Sequence, residues 1–514
     1  MDATGWRARA LLAATALAAA GPPAQAQKSA DTLRVVWWDQ IVNVNPYHNQ
    51  LRAGLVVAHQ AFDGLVYRDP NDFALKPALA TSWKYLDPTT IRFELRHGVV
   101  FHDGSPFTAD DVTYTINMAL TDKEVPVISN YSWIASADKV DDFTIDIHTK
   151  KVFPAALQFL AMVTPIIPKA YRERVGSDAY DKLPVGAGPY KITKVDGVNQ
   201  IEMERFEGYY KDAPKPRPAI SKLVIHEVVD ATTAQNEIVG GRADWTWNIL
   251  PDNMSKLAAL PFLKTEAAET MRVNFLNIDA AGRTGAENPL TKQKVRQAIA
   301  YAIDRQSIAR NIMQGGSRVP DAPCFFTQFG CDSDAAAKYP YDPAKAKALL
   351  AEAGYPNGFE TEIVSFLLPV FEGATQNYLK AVGITAKISH LQIQAVLQRS
   401  SAGTTPIDMT NWGSYSINDV SAFLPNFFSG SQDSGFSTSD LAHDAEVTAL
   451  VKAAGATTDL EERKKNYSAA IRRITDQVYM LPMFTGVAFY AYRKELSFQP
   501  WADEVPRFYL SHWN

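Results

Sequence analysis

The chain has 514 residues, of which 46% are hydrophobic and 21% are charged, a balance typical of folded rather than disordered proteins. This length exceeds what one ordinary hydrophobic core supports, so two or more lobes are expected. The formal net charge of −5 argues against nucleic acid or an anionic membrane surface as the main partner.

Residues 1–26 have the pattern of a secretory signal peptide. Arg7 and Arg9 form a basic start, an apolar stretch follows at residues 10–20, and small residues at 24–26 suit a signal peptidase. A membrane anchor is the alternative, although the apolar stretch is short for one. Because no cysteine lies near the cleavage site, the sequence predicts a periplasmic protein that is not a lipoprotein.

The next predicted elements are strands, followed by a capped helix. Residues 31–40 indicate a buried strand. Phe93 and Leu95 alternate with charged residues, which predicts a strand with one solvent-exposed face. A helix then begins at Thr108, which forms a capping box with Asp111 three residues later.

Later helices alternate with strands. Asp230 is predicted to cap a helix, and a strand that carries Trp245 and Trp247 on one face follows it. A single long helix is predicted over residues 291–316, and another begins at Asp342 with proline in its first turn. Strands interleaved with helices in this way indicate an α/β architecture.

Cys324 and Cys331, the two cysteines of the chain, are separated by six residues that include a glycine. Export would permit a disulfide between them. A zinc site would need further ligands, and none of the nine histidines is close in sequence. The sequence therefore predicts a disulfide and no metal site.

Catalytic motifs are absent from the sequence. The cluster of His102, Asp103, Asp110 and Asp111 is explained by a turn and by the first turn of a helix, where carboxylates are favoured. His97 and His102 make a weak metal pair, and no HExxH, GxSxG or Walker glycine loop occurs. No catalytic residue and no cofactor are therefore expected.

Three tryptophans are candidates for ligand contact. Trp245 and Trp247 fit either a core or the wall of a cleft. Trp412 lies in the polar stretch NWGSYSINDV at residues 411–420. No helical or strand periodicity of apolar residues there places the ring in a core. We therefore expect the Trp412 indole to face a ligand, since such rings supply contact area at small entropic cost.

Five stretches of the chain together resemble the bacterial extracellular solute-binding proteins of family 5, which serve ABC importers of peptides, opines and nickel. They occur in the order found in that family, and the resemblance covers nearly the whole mature chain. The stretches are LATSWKYLDPTTIRFELRHGVVFHDGSPFTADDVTYTI (79–116), PVGAGPYKI (184–192), IVGGRADW (238–245), VRQAIAYAIDRQSI (295–308) and YDPAKAKALLAEAGY (341–355).

The resemblance implies a two-lobed periplasmic binding protein fold of type II, in the large peptide-binding class. Lobe I would contain residues 27–275 with 485–514, including an extra subdomain at about 50–180, and lobe II would contain residues 276–484. A two-strand hinge would cross near Arg272–Ile278 and return near Leu481–Tyr492. The implied function is a monomeric receptor that captures a peptide-like, opine-like or sugar-like solute and delivers it to membrane permease subunits.

The resemblance also implies ligand-binding residues. In family members, the stretch aligned with residues 411–420 lines the cleft, its tryptophan (here Trp412) contacts ligand, and peptide binders carry an aspartate three residues later. Here that position is Tyr415, and the nearest acid is Asp419. A phenol cannot balance a buried ammonium, so we expect a neutral or anionic ligand rather than a free peptide. The further candidates are Asn418, Trp245, Trp247, Trp38, Asp39, Gln40, Tyr131 and Trp133.

Two alternatives use the same residues differently. An exported hydrolase would need a carboxylate pair, for which Asp39 and Asp419 are the candidates. A nickel-chelate or haem carrier of the same fold is the second alternative. Nickel binders of this class hold the chelate with Arg, Trp and His, and the stretch at 411–420 has the Trp but no His.

Overall fold

The computed structural model describes residues 31–37, 41, 43–50, 52–126, 128–197, 200–428 and 440–514. The predicted signal peptide, and the candidates Trp38, Asp39 and Gln40, lie outside the described residues. Among the described residues, no helix combines the length and apolar character needed to cross a bilayer.

The strands alternate with helices along the chain, as the sequence predicts for an α/β architecture. The strands are β1 Thr32–Trp37, β2 Val66–Arg68, β3 Leu75–Pro77, β4 Ala80–Asp87, β5 Thr90–Leu95, β6 Ile134–Asp141, β7 Thr144–Thr149, β8 Tyr190–Asp196, β9 Gln200–Arg205, β10 Lys222–Glu227, β11 Trp245–Trp247, β12 Leu263–Ile278, β13 Phe359–Ser365, β14 Ile384–His390, β15 Ile407–Trp412, β16 Met480–Arg493, β17 Leu496–Ser497 and β18 His512–Trp513.

The helices are α1 Arg52–Ala61, α2 Ala109–Thr121, α3 Ala156–Met162, α4 Lys169–Val175, α5 Ser177–Lys182, α6 Ala231–Val239, α7 Pro251–Ala258, α8 Gln293–Ala302, α9 Arg305–Ile308, α10 Pro343–Glu352, α11 Pro369–Ala381, α12 Ile393–Ser401, α13 Leu424–Phe428, α14 Ala445–Gly455 and α15 Leu460–Asp476. The predicted single helix over residues 291–316 is wrong. It breaks after α8 because Asp304 caps a new helix through the Ser307 N–H, and a π-helical turn follows at Ala309–Met313.

Among the described residues, one sheet of ten strands runs through the molecule in the order β14-β13-β15-β12-β16-β11-β1-β10-β9-β8. Its centre is the antiparallel pair β12 and β16. On one side, β11, β1 and β10 run parallel to one another, and on the other side β15, β13 and β14 do the same. We call these the first half and the second half of the sheet.

The ladder between β12 and β16 is interrupted in the middle, because its register shifts between Glu269 and Val273. The first half pairs on the side of the break nearer the start of β12, where Trp247 of β11 lies opposite Tyr490. The second half pairs on the side nearer the end of β12, where Trp412 of β15 lies opposite Val273. The chain passes from the first half to the second along β12 and returns along β16.

The parallel strands of the two halves run in opposite directions, and both groups end near the break. Tyr490 pairs with Glu266, so β11 and β15 end about seven residues apart along β12, or roughly 23 Å. The carboxyl ends of parallel strands are where α/β sheets place their ligands. The two carboxyl edges therefore face one another across a gap that β12 and β16 span.

Separate hydrophobic cores support the two halves. One core joins the first half to α1, to the four-stranded sheet β4-β5-β7-β6 and to the C-terminal residues around Phe508. A second packs α8 and α11 against β13 and β14, and a third surrounds Phe423, Phe427 and α15. The exact lobe boundaries, 27–275 with 485–514 and 276–484, stay a prediction.

Local predictions from sequence are confirmed at several helix starts. The Asp111 carboxylate accepts the Thr108 N–H at 2.9 Å, which completes the predicted capping box of α2. Asp230 and Asp342 cap α6 and α10 through the N–H groups of Thr233 and Lys345. Cys324 and Cys331 form a disulfide with their Cα atoms 5.9 Å apart.

The capping role of Asp111 can be measured against its neighbour. Asp111 is buried and also accepts the Lys169 N–H at 2.9 Å, so Asp111→Ala removes the acceptor of two half-buried backbone N–H groups. We expect a loss of about 2 kcal/mol in the free energy of unfolding. Asp110→Ala, in the same turn but exposed, should change it by less than about 0.5 kcal/mol. Equal effects of the two variants in urea denaturation would contradict the assignment.

Candidate ligand-binding site

A tight turn, Ser414–Ser416, follows β15 at the carboxyl edge of the second half. Ser414 and Ser416 have φ angles of 51° and 63°, in the left-handed region that residues other than glycine rarely adopt. Such backbone strain persists only where surrounding contacts fix the conformation. We call Ser414–Ser416 the cleft turn.

Side chains from the other side of the gap hold the cleft turn. Arg52 of α1 donates through Nη1 to Ser416 Oγ at 2.8 Å, and Ser416 Oγ donates to the Asp503 carbonyl at 2.6 Å. Arg68 of β2 donates through Nη1 to the Ser416 carbonyl. Ser416 is buried. The residues that bind it belong to α1 and β2, which pack in the core of the first half, and to the C-terminal segment.

A second set of contacts joins the hinge strand to the same place. Arg272, at the break in β12, donates to Glu504 Oε2 at 2.8 Å and to Asn411 Oδ1 at 2.9 Å. Arg52 donates to the same Glu504 oxygen at 3.1 Å. Burial raises the pKa of Glu504, but the charges of Arg272 and Arg52 outweigh burial and lower that pKa from 4.5 to about 2.

Asp503 anchors the arginines beneath the cleft turn. Its carboxylate accepts from Arg68 at 2.7 Å and from Arg507 at 2.9 and 2.7 Å, and all three side chains are fully buried. Burial raises the pKa of Asp503, but the two guanidinium groups outweigh burial and hold it well below its usual range. A charged carboxylate therefore fixes the arginine that binds the turn.

Trp412 has a local core that its own stretch of sequence does not reveal. Its Nε1–H donates to the Ala422 carbonyl at 2.8 Å, and its ring meets Phe427 edge-on at 6.0 Å. The expectation that the stretch offers no core is therefore wrong, because α13 supplies one after the turn. The ring is half-buried, and its contact with ligand stays a prediction.

The acid nearest to Trp412 is already paired. Asp419 is buried, accepts from Arg463 at 3.0 and 2.9 Å, and caps a short 3-10 turn through the Ser421 N–H. Asn418 accepts from the Thr327 hydroxyl at 3.2 Å. The Asp419 carboxylate is therefore already occupied by a guanidinium, and its contact with a ligand stays a prediction. The Tyr415 side chain lies outside the described part of the structure.

Other predicted contacts lie within the core of the first half. Trp245 and Trp247 are buried against Trp37: Trp245 stacks on it at a centroid distance of 6.1 Å, and Trp247 meets it at 4.6 Å with the rings tilted by 38°. Their burial agrees with the first of the two interpretations of this pair, packing in a core. Among the described residues, none accepts a hydrogen bond from the three indole N–H groups. Their role as a cleft wall stays a prediction.

Tyr131 and Trp133 are core residues of the part of the chain expected to form the extra subdomain. The Tyr131 hydroxyl donates to the Val163 carbonyl at 2.7 Å and accepts from Gln50, and no part of the side chain is exposed. The Trp133 N–H donates to Asn130 at 2.8 Å, and its ring stacks on Phe153. Their contact with a ligand stays a prediction.

The residues that sequence reasoning missed are Arg52, Arg68, Arg272, Ser416, Asp503 and Glu504. Arg52 and Glu504, like Arg68 and Asp503, are more than 400 positions apart in the sequence, so local patterns do not reveal these contacts. Of these residues, Arg272 could have been noticed in the sequence, because it places a charge between the apolar Met271 and Val273 of a predicted strand.

The lowered pKa of Glu504 predicts a pH dependence of stability. Its ionised form is favoured in the folded state, so its contribution is complete above pH 5 and is lost as pH falls toward 2. We expect Glu504→Gln to cost about 3 kcal/mol at pH 7 and almost nothing near pH 2. Urea denaturation across this range measures it, with the exposed Glu360→Gln as the control. A difference that does not change with pH would contradict the account.

Comparison with known proteins gives relatives over most of the chain. "Heme-binding protein A" of Haemophilus influenzae is 29% identical over 468 residues, which cover 84% of this chain and 83% of the relative. "Glutathione-binding protein GsiB" of Salmonella paratyphi A is 26% identical over 476 residues, covering 88% and 89%. These proteins are named for binding rather than for catalysis.

Solved structures show the same fold. The structure of HbpA2 from Haemophilus parasuis superposes with a TM-score of 0.80, at 23% identity, and covers 94% of this chain and all of that one. The predicted two-lobed fold with a two-strand hinge is thereby confirmed. The model of the family described as "Bacterial extracellular solute-binding proteins, family 5 Middle" matches residues 74–435. The chain is a member of family 5 of the bacterial extracellular solute-binding proteins.

Proposed function

We propose that this protein is the periplasmic receptor of an ABC importer, which closes around a small solute and delivers it to membrane permease subunits. The observation that carries the proposal is the cleft turn. It lies at the carboxyl edge of the second half, yet Arg52 and Arg68 bind it from the other side of the gap. A contact of this kind, next to a break in the two connecting strands, is suited to hinge closure.

The break in β12 and β16 supplies the place where the halves can move. The register shifts between Glu269 and Val273, so this segment lacks the regular ladder that stiffens the strands on either side. Gly486 lies opposite the break, and a Cβ there would come within 2.9 Å of Thr270 Oγ1. Bending at this point would change the gap between the carboxyl edges, where Ile417 and Ala422 also pack into the core of the first half.

The charges around the cleft turn support a neutral or anionic solute. Four guanidinium groups face two carboxylates: Arg68 and Arg507 bind Asp503, and Arg52 and Arg272 bind Glu504. Both carboxylates bind two arginines each, and Asp419 is held by Arg463. None of these acids is left to pair with an α-ammonium, and burying that charge without a partner costs several kcal/mol.

Export and monomeric state belong to the same proposal. The predicted signal peptide would direct the chain to the periplasm, where the disulfide of Cys324 and Cys331 can form. A haem carrier is the second candidate, favoured by the 29% identical haem-binding relative. Absorption spectra and metal analysis of the purified protein distinguish the two, because a haem carrier would retain haem or bind it when titrated.

The solute class is tested with peptides that differ only in the charge of the amino end. We expect N-acetylated or otherwise neutral conjugates to bind at least about tenfold more tightly than the same compounds with a free ammonium. Isothermal titration of matched pairs measures this, with glycylglycine, glutathione and their N-acetyl forms in the first panel. Micromolar binding of glycylglycine without binding of its N-acetyl form would contradict the proposed solute class. Binding without turnover is expected for every ligand.

A further inference from the structure

The disulfide closes a short loop, residues 324–331, which packs directly behind the cleft turn. We call it the disulfide loop. Gln328 lies at its centre and is buried. Its Oε1 accepts the Phe325 N–H at 3.0 Å, its own N–H donates to the Phe325 carbonyl at 2.9 Å, and its carbonyl accepts the Cys331 N–H at 3.0 Å. The side chain and backbone of one residue thus fix the shape of the loop.

The disulfide loop is hydrogen-bonded to the segment that follows the cleft turn, residues 417–420. Gln328 Nε2 donates to the Ile417 carbonyl at 3.0 Å. The Phe329 N–H donates to the Asn418 carbonyl, and the Phe329 carbonyl accepts the Val420 N–H, both at 3.1 Å. With the Thr327 hydroxyl on Asn418, this makes four hydrogen bonds between the loop and residues 417–420.

Helix α15 leaves the disulfide loop little freedom to shift. The guanidinium of Arg463 lies 4.5 Å from the centre of the Phe329 ring and also binds Asp419. Gly330 has a φ of 83°, and a Cβ there would lie 2.6 Å from the Tyr467 ring and 3.0 Å from Val420. The loop is therefore wedged between α15 and the segment that follows the cleft turn.

The cleft turn needs an anchor on this side. Arg52 and Arg68 hold Ser416, one of its two left-handed serines, from the front, and a strained conformation persists only where surrounding contacts fix it. On its other side, Ile417 adjoins the turn directly, and its carbonyl is fixed by Gln328. A disulfide limits the conformations open to a loop of this length.

We propose that the disulfide loop positions the cleft turn, with Gln328 as the positioning residue that acts through the Ile417 carbonyl. The consequence for ligand binding rests on the proposed function, whereas the positioning of the turn does not. Loss of Gln328 or of the disulfide would leave the fold in place and release residues 414–420. The turn that Arg52 and Arg68 bind, and that the solute would contact, would then be less ordered.

Hydrogen exchange of the full-length protein tests the positioning directly and needs no ligand. Gln328→Met keeps the side-chain length and removes both amide contacts, so we expect amides of residues 414–420 to exchange about tenfold faster. Amides of β13 and β14 should be unchanged. Phe326→Ala is the matched control, since Phe326 is exposed on the same loop and its ring contacts Arg318. Unchanged exchange at 414–420, or equal acceleration everywhere, would overturn the proposal.

A second variant covers the case in which Gln328→Met fails to fold. Replacing both cysteines, Cys324→Ala with Cys331→Ala, should accelerate exchange in the same seven residues, and full protection there would overturn the proposal. Binding of the tightest compound from the peptide panel should weaken about tenfold in either variant. Local acceleration with unchanged affinity would place the cleft turn outside the binding site. In that outcome the positioning stands and the proposed role of the turn in binding fails.

Discussion

The central interaction of this structure is the pairing of buried and half-buried guanidinium groups with two carboxylates beneath the cleft turn. Charges removed from water are tolerated only when partners meet them in good geometry. Asp503 supplies that partner to Arg68 and Arg507, and Glu504 supplies it to Arg52 and Arg272. These arginines in turn bind Ser416 and Asn411, so the position of the turn depends on two adjacent acids near the C-terminus.

The sheet explains why these groups meet where they do. Two sets of parallel strands run in opposite directions, and both end near the interruption in β12 and β16. The arrangement creates two facing carboxyl edges, with Arg272 at the break between them. The disulfide loop holds the rear of the cleft turn, and the arginines hold its front. Closure of the gap and order in the turn are therefore coupled through the same few residues.

The sequence predicted what is local and missed what is distant. Helix caps at Thr108, Asp230 and Asp342 depend on residues three positions away, and they were correct. The family resemblance supplied the two-lobed fold and the two crossing strands. Trp412 was misread because its core comes from Phe427, which lies beyond a turn. The contacts of Glu504 with Arg52 and Arg272 cross hundreds of residues, and no periodicity in the sequence marks them.

Closure requires that one carboxyl edge move toward the other when solute binds. The most direct measurement is the distance between spin labels at two exposed positions, Val229, two residues after β10, and Ile393, the first residue of α12 after β14. Double electron–electron resonance would be recorded on protein purified with its solute and again after the solute is removed. We expect a single short distance with solute and a longer, broader distribution without it. The same distance in both samples would contradict closure at this site.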